Sequence, residues 1–155
     1  MNYKQLLDFS NGYAVSIIEA IEKMGLDLPL VWAQMANSFE HRAKKLVEDA
    51  GIKFSGESVQ EISDNFAKIM KEVGICQRVN ISNATDDGVE VDIGECAFAS
   101  CTLEIRQGYP DDIPPCPMMA ILAGNIQGKL GKNAFIESCE WKPELNTSIF
   151  KLKLE

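Results

Sequence analysis

The stretch ICQRVNISNATDDGVEVDI, residues 75–93, decides how the chain is read. Ile75, Gln77, Val79 and Ile81 alternate with Cys76, Arg78 and Asn80, and Val89, Val91 and Ile93 alternate with Glu90 and Asp92. A period of two marks a half-buried strand, because successive side chains point to opposite faces of the sheet. Residues 83–88, ending Asp86-Asp87-Gly88, carry turn chemistry, so the two runs are predicted to form an antiparallel hairpin.

Upstream of this hairpin the period is helical. In residues 3–24 the apolar positions Leu6, Leu7, Ala14, Ile17, Ile18 and Ile21 form one stripe, and Gly25 supplies a stop. Asp27 and Pro29 read as the cap and first turn of a second helix, whose stripe of Trp32, Met35, Phe39, Leu46 and Val47 runs to Gly51. After a short 52–54 segment, Ser58 and Glu61 form a capping box for a third helix with Val59, Ile62, Phe66, Ile69, Met70 and Val73 inward, closed by Gly74.

Downstream, residues 94–117 are irregular. They leave room for a short strand at 102–105, while Pro110, Pro114, Pro115 and Pro117 make the rest a fixed loop. Pro117 opens a fourth helix through Met118, Ile121, Leu122, Ile126 and Leu130 to Gly131, with small residues at Ala120, Ala123, Gly124 and Gly128. A second alternating pair, 134–141 and 148–154 around a turn at 142–146, ends the chain. The order is ααα-ββ-α-ββ, an α+β domain with its N-terminal helices on one face of an antiparallel sheet. A single domain over 1–155 is expected, helical over 1–74 and ββαββ over 75–155.

With 155 residues, 46% of them hydrophobic, the chain is long enough to fold without disulfides or a structural metal. Fifteen Lys and Arg against 23 Asp and Glu give a net charge of −8, which argues against nucleic acid or an anionic membrane as partner. The apolar pattern at the N-terminus is broken by Asp8, Asn11, Ser16 and Glu19, so neither a signal peptide nor a membrane span is read there, and a cytoplasmic location is expected.

Four of the five cysteines, Cys96, Cys101, Cys116 and Cys139, fall within 44 residues. Four soft ligands suit zinc or an iron–sulfur cluster, although no tight C-x2-C knuckle is present. The competing reading is buried, inert thiols, with Cys76 set apart as a strand thiol. Glu137 lies two residues before Cys139, which on a regular strand puts both on one face. Cys116 precedes a helix, whose positive end favours a thiolate. His41 is the sole histidine and belongs to no recognisable triad. Glu137 and Asp92 are available for general acid–base work, without a feature that selects them. The run Gly124-Asn-Ile-Gln-Gly128-Lys129 lacks the spacing and hydroxyl of a phosphate loop. The aromatic and Met positions on the helical stripes suit core packing, and the same residue types would line an apolar pocket.

Cys116 ahead of a helix, Ala123-Gly124 and Gly128 within it, the strand Phe135-Ile-Glu-Ser-Cys139 and a final turn and strand resemble the 4-vinyl reductase domain family, over residues 75–155. That family is similar in fold to Golgi-transport tether subunits and to the sensor domains of phenol-responsive regulators. The resemblance implies a four-stranded antiparallel sheet covered by helices, with a small hydrophobic-ligand pocket between them. Through the phenol sensors it also implies a zinc ion, for which the matching ligands are Cys116, Glu137 and Cys139. Where the sensors' last cysteine would fall, this chain has Asn146-Thr147-Ser148, and its Glu–Cys interval is one residue shorter. A complete site would need Cys96 or Cys101 as the remaining ligand.

The leading expectation is a stand-alone module that binds a small hydrophobic or aromatic molecule, with Trp32, Met35, Phe39, Phe66 and Met70 lining the pocket and zinc as the cofactor. The alternatives are an enzyme acting on a tetrapyrrole-like substrate, through zinc as Lewis acid or Cys116 as reactive thiol, and an interaction module that forms a homodimer. Neither a nucleotide-binding fingerprint nor a flavin motif accompanies the reductase resemblance.

Overall fold

The computed structural model describes residues 51–98 and 116–155, together with 12, 15–17, 19–21, 23–26 and 49. In the N-terminal part, the described residues from Gly12 to Lys23 are helical, and Gly25 with φ 69° follows as the expected stop. The second helix, apart from Asp49, and the 102–105 strand lie outside the described residues.

Helix α1 (Val59–Glu72) starts where the capping residues place it. Ser58 Oγ accepts from the Glu61 N–H at 3.2 Å, and the Glu61 carboxylate accepts from the Glu57 N–H at 2.9 Å, so the reciprocal bond reaches one residue before the cap. The helix ends in a Schellman motif: Gly74, at φ 74°, donates to Lys71 O and Ile75 donates to Met70 O. Val59, Ile62, Phe66, Ala67, Ile69 and Met70 are buried along one stripe. Full burial of such a side chain contributes about 1.5–3 kcal/mol.

Four strands follow: β1 (Cys76–Thr85), β2 (Gly88–Cys96), β3 (Ala134–Lys142) and β4 (Thr147–Leu154), with helix α2 (Pro117–Leu130) between the hairpins and a 3-10 turn, Pro143–Leu145, between β3 and β4. The sheet is antiparallel throughout, in the order β1-β2-β4-β3. The last strand of the chain therefore sits inside and β3 forms an edge. Its register builds rows across all four strands, such as Ile81–Val91–Phe150–Cys139. The core consists of these rows with the buried faces of α1 and of α2, the latter giving Met118, Met119, Ile121, Leu122 and Ile126.

The first hairpin differs from its expected form. Residues 83–85 belong to β1 and not to the turn, which shrinks to Asp86-Asp87. A register shift between Ser82 and Thr85, with Asn83 at φ 51°, absorbs the irregular residues within the strand. Gly88 is required there by packing, since a Cβ would fall 2.6 Å from Leu152 O.

Candidate functional site

The site is built where the period of two fails. Strand β1 buries Cys76 and Val79, three residues apart, and β2 buries Ile93 while Cys96, also three residues on, packs against the core. Both breaks lie at one level of the hairpin. The facing pairs run Cys76–Cys96, Arg78–Gly94 and Val79–Ile93, and Glu95 takes a left-handed φ of 51° with its N–H turned to Asn146 O at 3.4 Å. Beyond this kink Cys96 packs against the core, opposite Cys76 in the unshifted part of the hairpin's register. The sequence reading had separated Cys76 from the other cysteines. In the structure it is the cross-strand partner of one of them.

The two thiols influence each other's ionisation. Its neighbour Cys96 and its burial hold Cys76 well above the ordinary thiol range. Cys96 is lowered by Cys76 and by the hydrogen bond it accepts from the Phe98 N–H at 3.5 Å, against the opposing effect of burial. Cys116 is the N-cap of α2 and is buried. Burial pushes its thiol up to about 12, although the Met119 and Met118 N–H groups pull the other way. Desolvation thus overrides the helix terminus, contrary to the thiolate expected from its position. Cys96 and Cys139 both oppose ionisation of Cys116 electrostatically, which draws four cysteines of three strands and one helix cap into a single neighbourhood.

A small, mostly apolar cleft opens here between the ends of β2 and β3 and the starts of β4 and α2. Ile93, Cys96, Cys116, Trp141, Ser148 and Phe150 line it. On the opposite sheet face a polar clasp holds the 3-10 turn and the start of β4 against β2. Arg78 donates to Leu145 O at 2.9 Å and lies 4.0 Å from the Asp92 carboxylate. Thr147 donates to Ile93 O at 2.9 Å and is also hydrogen-bonded to Asp92. Asp92, a candidate acid–base residue by sequence, is engaged in this clasp. A Cβ on Gly94 would come within 2.5 Å of the Arg78 guanidinium, so the glycine makes room for it.

The expectation that Glu137 and Cys139 share a face is not met. Ile136 faces Leu152 and Ser138 faces Lys151, so Glu137 is an extra residue in a β-bulge. Ile136 and Cys139 pack against the core, whereas Glu137 is exposed and acts electrostatically on the exposed Lys153. Among the described residues no group of three or more His, Cys, Asp or Glu is arranged to hold a metal ion. Cys116, Glu137 and Cys139 are thus not gathered into one ligand set among the described residues. Cys101 lies outside the described residues, as do Trp32, Met35 and Phe39. Phe66 and Met70 are fully buried under α1, where Phe66 stacks with Phe54 at 6.3 Å, and neither lines the cleft. The cleft residues Trp141, Ser148 and Phe150 were missed by sequence reasoning. Their alternation on the closing strands marked a core face, and only the closure of β4 against β2 leaves part of that face open.

No protein-family model matches the chain, and no curated protein sequence does. Among solved structures, the chain is similar to a trafficking protein particle complex subunit 3 from Naegleria fowleri, which is covalently bound to palmitic acid. The TM-score is 0.57 at 14% identity, over 98% of this chain and 95% of that one. An oxygen-binding H-NOX domain related to soluble guanylate cyclases gives a TM-score of 0.47 at 12% identity, and an H-NOX mutant of T. tengcongensis 0.44 at 12%. Each of those two alignments covers 87% of this chain, which spans 65% and 67% of the respective H-NOX chains. The likeness to the trafficking subunit is one of fold, and it agrees with the tether-type architecture that the resemblance implies.

Proposed function

We propose that the chain is a ligand-binding module of the 4-vinyl reductase type, which holds a small apolar or aromatic molecule between its helices and the core face of the sheet. The observation that carries this reading is the end-to-end likeness of fold to a tether subunit whose structure holds palmitic acid. The cleft beside Trp141 and Phe150 has apolar walls but a volume of only about 20 Å³, so a ligand enters there only by displacing those walls. Ser148 is the buried hydroxyl available to orient a polar end. Burial holds the Cys116 thiol in its protonated form, so no covalent bond through this residue is expected.

The test uses palmitic acid and protoporphyrin as separate probes, followed by native mass spectrometry and by tryptophan fluorescence. One-to-one binding of either probe is expected, with quenching that is diminished in Trp141→Phe and no adduct after denaturation. Retention of palmitic acid alone favours a lipid ligand, and of protoporphyrin alone a tetrapyrrole-like one. Unchanged mass and fluorescence with both probes would refute the reading.

A further inference from the structure

Facing residues on antiparallel strands have Cα atoms about 4.5–5.5 Å apart, within the roughly 4.4–6.8 Å that a disulfide spans. Cys76 and Cys96 face each other in this way at the open end of the β1–β2 hairpin. The Ala97 N–H donates to Ile75 O at 2.8 Å directly beside this pair, which fixes the register, and both residues are free thiols. They differ in access. Cys76 is buried, while Cys96 is half-buried and lines the cleft.

We infer that Cys76 and Cys96 form a two-cysteine redox site, in which a hydroperoxide reaching the cleft converts the pair into a cross-strand disulfide that thiol reductants reverse. The order of attack follows from access. With hydrogen peroxide, the Cys96 sulfur attacks one oxygen: an S–O bond forms, the O–O bond breaks, and the departing hydroxide takes up the proton released from Cys96 and leaves as water. The Cys76 sulfur then attacks the sulfenic sulfur of Cys96: the S–S bond forms, the S–O bond breaks, and the oxygen leaves as a second water with the Cys76 proton. The two thiols lose two electrons and two protons, and one peroxide becomes two waters. Cys76 and the hydrogen bond from the Phe98 N–H favour the reactive form of Cys96. The buried Cys116 lacks such a pairing, which leaves Cys76 as the resolving partner. A bridge in this register closes the existing hairpin without moving either strand, and it stands whether or not the cleft takes an apolar ligand.

To test this, hydrogen peroxide is added to the reduced protein, remaining thiols are alkylated, and intact mass and non-reduced peptide maps are recorded. Loss of two hydrogens is expected, with one linked peptide joining Cys76 to Cys96 and recovery of both thiols on treatment with dithiothreitol. Cys116→Ala should give the same link and Cys96→Ala none. Complete alkylation of all cysteines after peroxide, oxidation of Cys96 to the sulfinic acid without a link, or a link from Cys96 to another cysteine would each overturn the inference. The map of the unsubstituted protein decides the matter by itself if a variant does not fold.

Discussion

At the scale of the residue, Cys116 shows burial competing with a helix terminus and winning. Its ordinary pKa of 9.0 becomes about 12 in the folded chain. Between those values the unfolded state has lost a proton that the folded state keeps, so stability is full below about pH 9 and falls as pH rises towards 12. The slope for one such group is about 1.4 kcal/mol per pH unit. Urea denaturation on either side of pH 9 should show this fall, reduced by about that slope in Cys116→Ala; an unchanged slope in the variant would contradict the burial argument. That Cys116 opens a helix was legible from Pro117 next to it. That it stays neutral was not, because the apolar shell around it comes from elements distant in the chain.

At the scale of the element, the bulge in β3 is the instructive feature. Glu137 is the residue that the register passes over, between Ile136 opposite Leu152 and Ser138 opposite Lys151. Deleting it should convert the bulge into a regular ladder with Ile136 and Cys139 still on the core face, so the fold and the denaturation midpoint should change little. Deleting Glu140, in the regular part of the same strand, turns either Cys139 or Trp141 outward and should be strongly destabilising. Circular dichroism and urea midpoints of the two deletions check the contrast; equal losses would mean that Glu137 is not the extra residue. Strand identity was readable from the alternation of Phe135, Ile136 and their neighbours. The bulge was not, since a single inserted residue preserves hydrophobic content and alters only its phase.

At the scale of the whole molecule, the sheet order places β4 between β2 and β3, and Phe150 at its centre. Phe150 is 2% exposed and sits between Val91 and Cys139, whereas Phe135, on the edge strand, is 50% exposed. Phe150→Ala should cost about 3–5 kcal/mol, through lost burial and the cavity left behind. Phe135→Ala should stay within about 0.5 kcal/mol of the unsubstituted protein. Denaturant titration measures both, and comparable losses would argue against the central position of β4. The order ααα-ββ-α-ββ pointed to helices on one sheet face, and the described helices and strands agree with it. Which strand lies inside and where the core face stays open depend on pairing between hairpins that the chain separates by a helix.

What the sequence determined by itself was the type and order of the elements and the capping of α1, because helical and strand periods and cap chemistry are local properties of the backbone. It also singled out the cysteines as the unusual part of the composition. Only the tertiary structure decided which of them meet. The β1–β2 register sets Cys96 opposite Cys76, and the bulge at Glu137 removes a carboxylate from the face of Cys139. Both are set by pairing between strands, and the second is a one-residue change of phase. A pattern of period two cannot foresee where its own period breaks.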